Sequence, residues 1–328
     1  MNAAVRTKDK TPFSFVEFLY KYGTLLTIVV LIAIFGTFTD SFLSSSSFFN
    51  ILRQISIVTI IATGLTVSLA VGGFDLSIGS TASLANAIVI SMFVWHGHSL
   101  GVGVGLTILF CLVVGVVNAF LVINFKIQDM LMTLATMFIF QGIALTYTRG
   151  ATVSPNMIMP SGEYATGTIP AIFGKIGQSP WIIMLVLVLV VHLFLTYTKH
   201  GRYMYMIGGN REAAELSGLP VNRYRLAAYL ISALLATIGG IMLGARVMTA
   251  EVNSGSSLLM DAVAAAFIGY SVLGAGKPNA LGTFFGAVLI GILSYGLVMM
   301  SVPYYAMDIV KGSVLALALA ITYYRRKH

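Results

Sequence analysis

An all-α, polytopic membrane helix bundle is the fold class this sequence predicts, and three observations predict it. Asp, Glu, Lys and Arg make up only 9% of the chain, against 58% apolar residues and a mean hydropathy of +0.92; a soluble domain carries roughly 25% charged residues. Apolar runs of about 20 residues, long enough to cross a bilayer as a helix, recur from Tyr22 to Tyr324. Lys and Arg gather in alternate connections, as they do in cytoplasmic loops.

Taken in order, Met1 to Lys10 are polar and basic, and Pro12 to Tyr20 carries Phe13, Phe15, Phe18 and Tyr20. Residues 1–21 therefore read as a cytoplasmic segment with an interfacial helix. The apolar run that follows is too long for a signal peptide and lacks a clear small-residue cleavage site, so it reads as a retained first span. Spans are expected near 22–39, 51–72, 80–95, 100–124, 130–148, 180–198, 224–247, 257–273, 280–300 and 304–323. Together they make a transmembrane domain over 22–324 with about ten transmembrane helices, followed by a cytoplasmic tail, 325–328.

Ten spans put both termini on one side, and the charges say which. Of the 19 Lys and Arg residues, 14 then fall on that side, among them Lys21, Lys126, Lys199, Arg202, Arg211, Arg223, Arg225, Lys277 and Arg325. Only Arg53, Arg149, Lys175, Arg246 and Lys311 lie outside or within the membrane. Both termini are therefore expected to be cytoplasmic, since one span more or fewer scrambles the asymmetry. The net charge of +8 belongs to these loops; no nucleic-acid partner is expected, and membrane lipid is.

Two segments interrupt the hydrophobic pattern. Gly72-Gly73-Phe74-Asp75-Leu76-Ser77-Ile78-Gly79-Ser80 separates spans two and three, and 269–283, with its glycines and Pro278, breaks the second half. Irregular backbone at membrane depth survives only when it is buried in protein or lines a wet cavity, and paired breaks in two halves can mark a pathway. Tight turns at the membrane surface are the alternative. The longest polar connection, 149–179, faces outward; Pro155, Pro160 and Pro170 prevent one long helix there. It is either an external docking surface or a linker. Gly240 with Gly244, Gly282 with Gly286, and the cluster Gly101, Gly103 and Gly105 predict close helix packing.

No catalytic set stands out. Gly276-Lys277 lacks the rest of a phosphate loop, because GxxxxGK[ST] needs Gly at 271 and Ser or Thr at 278, where the chain has Ser271 and Pro278. If ATP supplies the energy, another subunit binds it. His96 and His98 in a short external turn lack further ligands, so no metal site is expected. His192 reads as packed or hydrogen-bonded, and Cys111, the single cysteine, excludes an intrachain disulfide. Asp308 and Lys311, three apart, lie on one helix face and are expected to pair.

The connection 199–223 carries Gly208-Gly209-Asn210-Arg211-Glu212-Ala213-Ala214-Glu215-Leu216-Ser217-Gly218. Asn210 caps a short helix over Asn210 to Leu216, Glu212 and Glu215 suit its first turns, and Gly218 ends it. Flanked by glycines on the cytoplasmic face, it reads as a rigid knob for a groove on a partner.

Here the chain resembles the permease subunits of bacterial ABC importers, in their ribose/galactose/xylose branch. Glu212-Ala213-Ala214 with Gly218 is similar to the EAA–G signature of such permeases. Gly72-Gly73-x-Asp75-Leu76-Ser77-x-Gly79-Ser80, then Gly208-Gly209-Asn210, Ala213-Ala214 and Ser217-Gly218, and finally Asp261-Ala262-Val263-Ala264-Ala265 with Gly282-Thr283, match the branch in order along nearly the whole chain. The departures are Gly269-Tyr270 for a double glycine, Ala275-Gly276-Lys277-Pro278 for Gly-Gly-x-Gly, and Gln141-Gly142 for an Arg-Gly pair. They fall near the expected pathway, where they bear on substrate more than on class.

The resemblance implies a permease subunit in the bacterial inner membrane that is not itself an enzyme, paired with itself or with a paralogue. It implies an ABC ATPase subunit below, holding the ATP and Mg, and a periplasmic or lipid-anchored sugar-binding protein above. Gly208, Gly209, Asn210, Glu212, Ala213, Ala214, Ser217 and Gly218 would couple to the ATPase. A neutral sugar needs hydrogen bonds and few charges, which singles out Asp75, Ser77, Asn86, Asn118, Gln141, Asp261 and Tyr270 along the pathway. The competing reading is an ion-coupled secondary carrier of a small polar solute; sparse intramembrane carboxylates weigh against it.

Overall fold

The computed structural model describes residues 15–159, 161–270, 272 and 276–324. The expected N-terminal segment before Phe15 lies outside the described residues, as do Ser271, Ala275 and the tail 325–328. Among the described residues the chain is helical apart from loops and two isolated bridges, Val153 with Ala250 and Ile158 with Tyr164. The helices are α1 (Phe15–Phe38), α2 (Ser45–Ala70), α3 (Ile78–Val94), α4 (Leu100–Phe125), α5 (Asp129–Thr148), α6 (Ala171–Gln178), α7 (Pro180–Tyr197), α8 (Lys199–Gly209), α9 (Arg211–Leu216), α10 (Val221–Val247), α11 (Ser254–Gly269), α12 (Ala280–Met299) and α13 (Tyr304–Tyr324).

Among the described residues six of these, α2, α4, α5, α7, α10 and α12, are long and apolar enough to cross a membrane. Tyr22–Phe38, α3 and α11 are shorter apolar helices. The chain is thus a polytopic helical membrane protein. Local chemistry moves some expected boundaries. Helix α2 begins six residues early because the Ser44 hydroxyl caps it, accepting from the Ser47 N–H at 3.2 Å. Helix α11 stops at Gly269, short of the expected 273. Helix α6, within the 149–179 connection, and α8 were not anticipated.

Helix α10 is the hub and packs on α2, α3 and α4. Helix α11 lies against α12, α2 and α3, whereas α1 sits on α12 at the periphery. Almost every residue of α3 is buried, so protein, not lipid, is its solvent. Helices α4, α5 and α7 instead display Phe110, Phe120, Phe138, Ile139, Leu189 and Val190 outward, as a lipid-facing surface requires. Small residues set the crossings: a Cβ on Gly240 would overlap the Ala82 carbonyl of α3, and one on Gly286 would overlap the Ala265 carbonyl of α11. The cluster at the start of α4 behaves differently. Gly103 meets Phe93, but nothing lies within 4 Å of a Cβ added to Gly101 or Gly105.

The expected pair of Asp308 with Lys311 does not form. Lys311 reaches across to α11, where its Nζ donates to Asp261 Oδ1 at 3.0 Å and Oδ2 at 3.1 Å. Both side chains are mostly buried, 23% and 17% exposed, so a carboxylate without a cation there would be costly.

Candidate coupling and translocation site

The connection between α7 and α10 is built as two short helices. The Thr198 hydroxyl caps α8 by accepting from the Gly201 N–H at 3.1 Å, and Gly201, Met204 and Ile207 bury its inner face. Gly208 and Gly209, expected in a loop, form the last turn of α8. Burial of that inner face outweighs the weak helix propensity of glycine. Asn210 then caps α9 as expected, its Oδ1 accepting from the Ala213 N–H at 2.9 Å. Ser217 Oγ donates back to the Ala213 carbonyl at 2.7 Å, and Gly218, at φ +77°, turns the chain away.

One side of α9 is anchored and the other is free. Ala214 is buried, while Glu212 and Ala213 are exposed and Leu216 is 91% exposed. Leu216 had no motif to mark it. Arg211 and Glu215 form a surface pair at 3.1 Å, and a cleft of about 510 Å³ opens beside the knob between Glu215 and Arg223.

Helix α8 touches both interruptions. Gly208 lies against Ala70 and Gly72 at the first. At the second, Tyr205 donates its hydroxyl to the Pro278 carbonyl at 2.7 Å, and Lys277 Nζ stands 4.5 Å from the centre of the Tyr205 ring. Burial pushes the Tyr205 hydroxyl up to about 12, so it stays a donor at physiological pH.

The first break holds a buried polar node. Asp75 Oδ1 accepts from the Ser77 N–H at 3.0 Å and its hydroxyl at 2.7 Å, and Oδ2 accepts from Ser232 of α10 at 2.8 Å. Asn118 of α4 donates to Ser77 Oγ at 2.7 Å and accepts from Thr136 of α5 at 2.6 Å. Thr133 of α5 donates to the Phe74 carbonyl at 2.9 Å and accepts from the Leu76 N–H at 3.1 Å. Three helices, α4, α5 and α10, thus meet at one turn, with its polar groups satisfied inside the protein.

Of the residues singled out for a pathway, Asp75, Ser77 and Asn118 come together here, and the rest do not. Asn86, in α3, is buried against Gly244, with its Oδ1 lacking a hydrogen-bond partner. Gln141 Nε2 donates to the Val252 carbonyl and to Asn253 Oδ1, both at 2.9 Å, beside the start of α11. Asp261 is paired with Lys311. Tyr270 stacks on Phe267 at 5.7 Å, and Phe267 on Phe74 at 5.8 Å. These three half-buried rings join the two breaks, and neither Phe74 nor Phe267 was flagged by polarity.

Near the first break lies a further cluster that the sequence did not disclose. Arg225 and Tyr229 of α10 both donate to Asp129, the first residue of α5.

A helical membrane bundle whose α8–α9 knob rests on two helix breaks has the build of a membrane-embedded permease. The family model described as branched-chain amino acid transport system / permease component matches residues 47–319, and the chain belongs to that family. It is 32% identical over 303 residues to the ribose import permease protein of Escherichia coli (strain K12), covering 92% of this chain and 94% of that one. It is 32% identical over 307 residues to the ribose import permease protein of Bacillus subtilis (strain 168), covering 92% of each. To the xylose transport system permease protein of Escherichia coli (strain K12) it is 30% identical over 352 residues, covering 90% of each. The resemblance to importer permeases drawn from the motifs is borne out. No solved structure matches the chain significantly.

Proposed function

We propose that this chain is the membrane subunit of an ATP-driven importer of a simple sugar, a ribose-like pentose or related monosaccharide, in a bacterial inner membrane. The observation that carries the reading is the α8–α9 knob, whose tip is exposed for a partner while its root lies on both helix breaks. The similar permeases are named for ribose import and xylose transport, and that supports the substrate class.

In this reading ten helices cross the membrane and both termini are cytoplasmic. The asymmetry of Lys and Arg supports that orientation. A separate ABC ATPase subunit binds ATP and Mg and grips the knob at Asn210, Glu212, Ala213, Ser217 and Gly218. Ala214 and Gly208 hold the root, and Gly209 links it to the tip. A sugar-binding protein delivers substrate from outside, and a second permease copy, identical or paralogous, completes the passage. Closure of the ATPase pair moves the knob, and the two breaks respond; substrate and nucleotide act only by contacting the two states differently. Asp75, Ser77, Asn86, Asn118, Gln141, Asp261 and Tyr270 give the passage hydrogen-bonding groups, with the stacked rings of Phe74, Phe267 and Tyr270 between the breaks.

The test is reconstitution of the purified chain in liposomes with and without the ATPase that co-purifies with it. Sugar uptake only with the ATPase and ATP is the expected result. Uptake by the chain alone under an ion gradient would replace this reading with a secondary carrier.

A further inference from the structure

Helix α10 presents Arg225, Tyr229 and Ser232 at positions i, i+4 and i+7, which lie along one helix face. Each grips a carboxylate on another element. Arg225 Nη2 donates to Asp129 Oδ1, Tyr229 donates to Asp129 Oδ2 at 2.6 Å, and Ser232 donates to Asp75 Oδ2 at 2.8 Å. The ion pair is enclosed, its two side chains only 6% and 16% exposed. The first break rides on it: a Cβ on Gly73 would stand 2.8 Å from Asp129 Oδ2 and 3.1 Å from the Tyr229 hydroxyl.

The same helix is joined to the knob by a short, tied connection. Between Leu216 and Val221 the chain runs through Gly218 and Pro220. The Leu219 N–H donates to the Ala214 carbonyl at 3.1 Å, and the Val221 N–H to the Leu219 carbonyl at 2.8 Å. Displacing α9 therefore turns the start of α10, and Arg225 is in its second turn. From Arg225 to Ser232 the stripe spans about 10 Å of helix, reaching from the start of α5 to the buried Asp75 turn.

We propose that the Arg225–Asp129–Tyr229 cluster is a latch that transmits motion of the knob to the first helix break and to α5, with Ser232 carrying it on to Asp75. The inference rests on the importer reading above, and assigns Asp129, Arg225 and Tyr229 as positioning residues. An enclosed ion pair adds little net stability over apolar groups of similar size, yet it is costly to break. Such a pair specifies one arrangement of two helices, which is the property a two-state element needs.

The experiment is made on the assembled complex in proteoliposomes, with sugar moved per ATP hydrolysed as the readout. For Asp129→Asn, and for the neutral double variant Asp129→Leu with Arg225→Met, the ratio is expected to fall about tenfold, within the range of network substitutions. The double variant strands no charge and leaves only the Tyr229 hydroxyl without its acceptor, so it is expected to assemble and to melt less far below the unaltered complex than Asp129→Leu alone. A double variant that keeps the unaltered ratio would make the cluster structural cement and overturn the latch. If these variants do not assemble, Tyr229→Phe decides, since it keeps the ring and removes one bond to Asp129; an unchanged ratio there also overturns the proposal. An unaltered complex that moves no sugar under ATP would remove the importer reading itself, and the latch with it. A transporting complex whose variants keep the ratio removes the latch alone.

Discussion

Gly208, in the last turn of α8, lies against Gly72, the first glycine of the break between α2 and α3. A Cβ on Gly208 would stand 2.9 Å from the Gly72 nitrogen and overlap the Ala70 carbonyl oxygen. The knob and the break therefore meet backbone to backbone, with no flexible side chain between them to absorb a displacement. Tyr205, three residues earlier, fixes the second break through Pro278. Since i and i+3 share a helix face, one short helix holds both.

Replacing Gly208 with Val should separate α8 from the break without touching the exposed tip. ATPase recruitment is then expected to persist while uptake falls about tenfold, as a coupling defect does. Gly101→Ala, on α4 and away from the knob, is the control. Nothing lies within 4 Å of the added Cβ, so its cost should stay below about 0.5 kcal/mol. Co-purification and uptake measured on the same membranes check both. Equal uptake in the two variants would mean that the close approach at Gly208 has no part in coupling.

The exposed tip makes the opposite prediction. Leu216 is 91% exposed, so Leu216→Asp should leave the fold and its melting temperature unchanged. It should weaken ATPase capture by about tenfold in Kd, the scale of one interface anchor. Titrating purified ATPase onto the detergent-solubilised permease measures this directly. An affinity that does not change would place the contact elsewhere on the knob.

How much of this was legible in the sequence depends on how far apart the interacting residues stand. Helix α9 was legible to within a residue, because its cap Asn210, its acidic first turn and its terminator Gly218 are all local. Helix α8 was hidden by Gly201, Gly208 and Gly209, poor helix formers that tertiary burial overrides. Asp75, Ser77 and Asn118 were visible as polar residues in apolar surroundings. Their mutual bonds were not, since Asn118 reaches Ser77 across 41 residues. Asp129 and Arg225, 96 residues apart, looked like ordinary charges at the ends of spans. Spacing rules see one helix at a time, which is also why Lys311 was paired with Asp308 rather than with Asp261.

The node at Asp75 should behave as a unit. Asn118→Leu removes the donor to Ser77 and the acceptor for Thr136 together, and leaves both hydroxyls with one partner fewer. Interhelical hydrogen bonds in membranes contribute about 0.6 kcal/mol each on average, so the loss is expected near 1–2 kcal/mol. Thermal unfolding in a fixed detergent would register it. The double variant Asn118→Leu with Thr136→Val should cost less than the sum of the single changes, because the two share one bond. Additive losses would mean that the side chains act independently.

Asp261 and Lys311 offer a way to separate stability from transport at one residue. Lys311→Met leaves the Asp261 carboxylate mostly buried and without its cation, which should destabilise the bundle by about 3 kcal/mol. Adding Asp261→Leu removes the stranded charge, and unfolding should then return close to that of the unaltered protein. Transport is expected to stay low in the double variant, because Asp261 is one of the few polar groups that α11 offers the proposed passage. Melting temperature and uptake rate, measured side by side, check this. Recovery of both would show that Asp261 serves only to hold α13 against α11, and would remove it from the pathway.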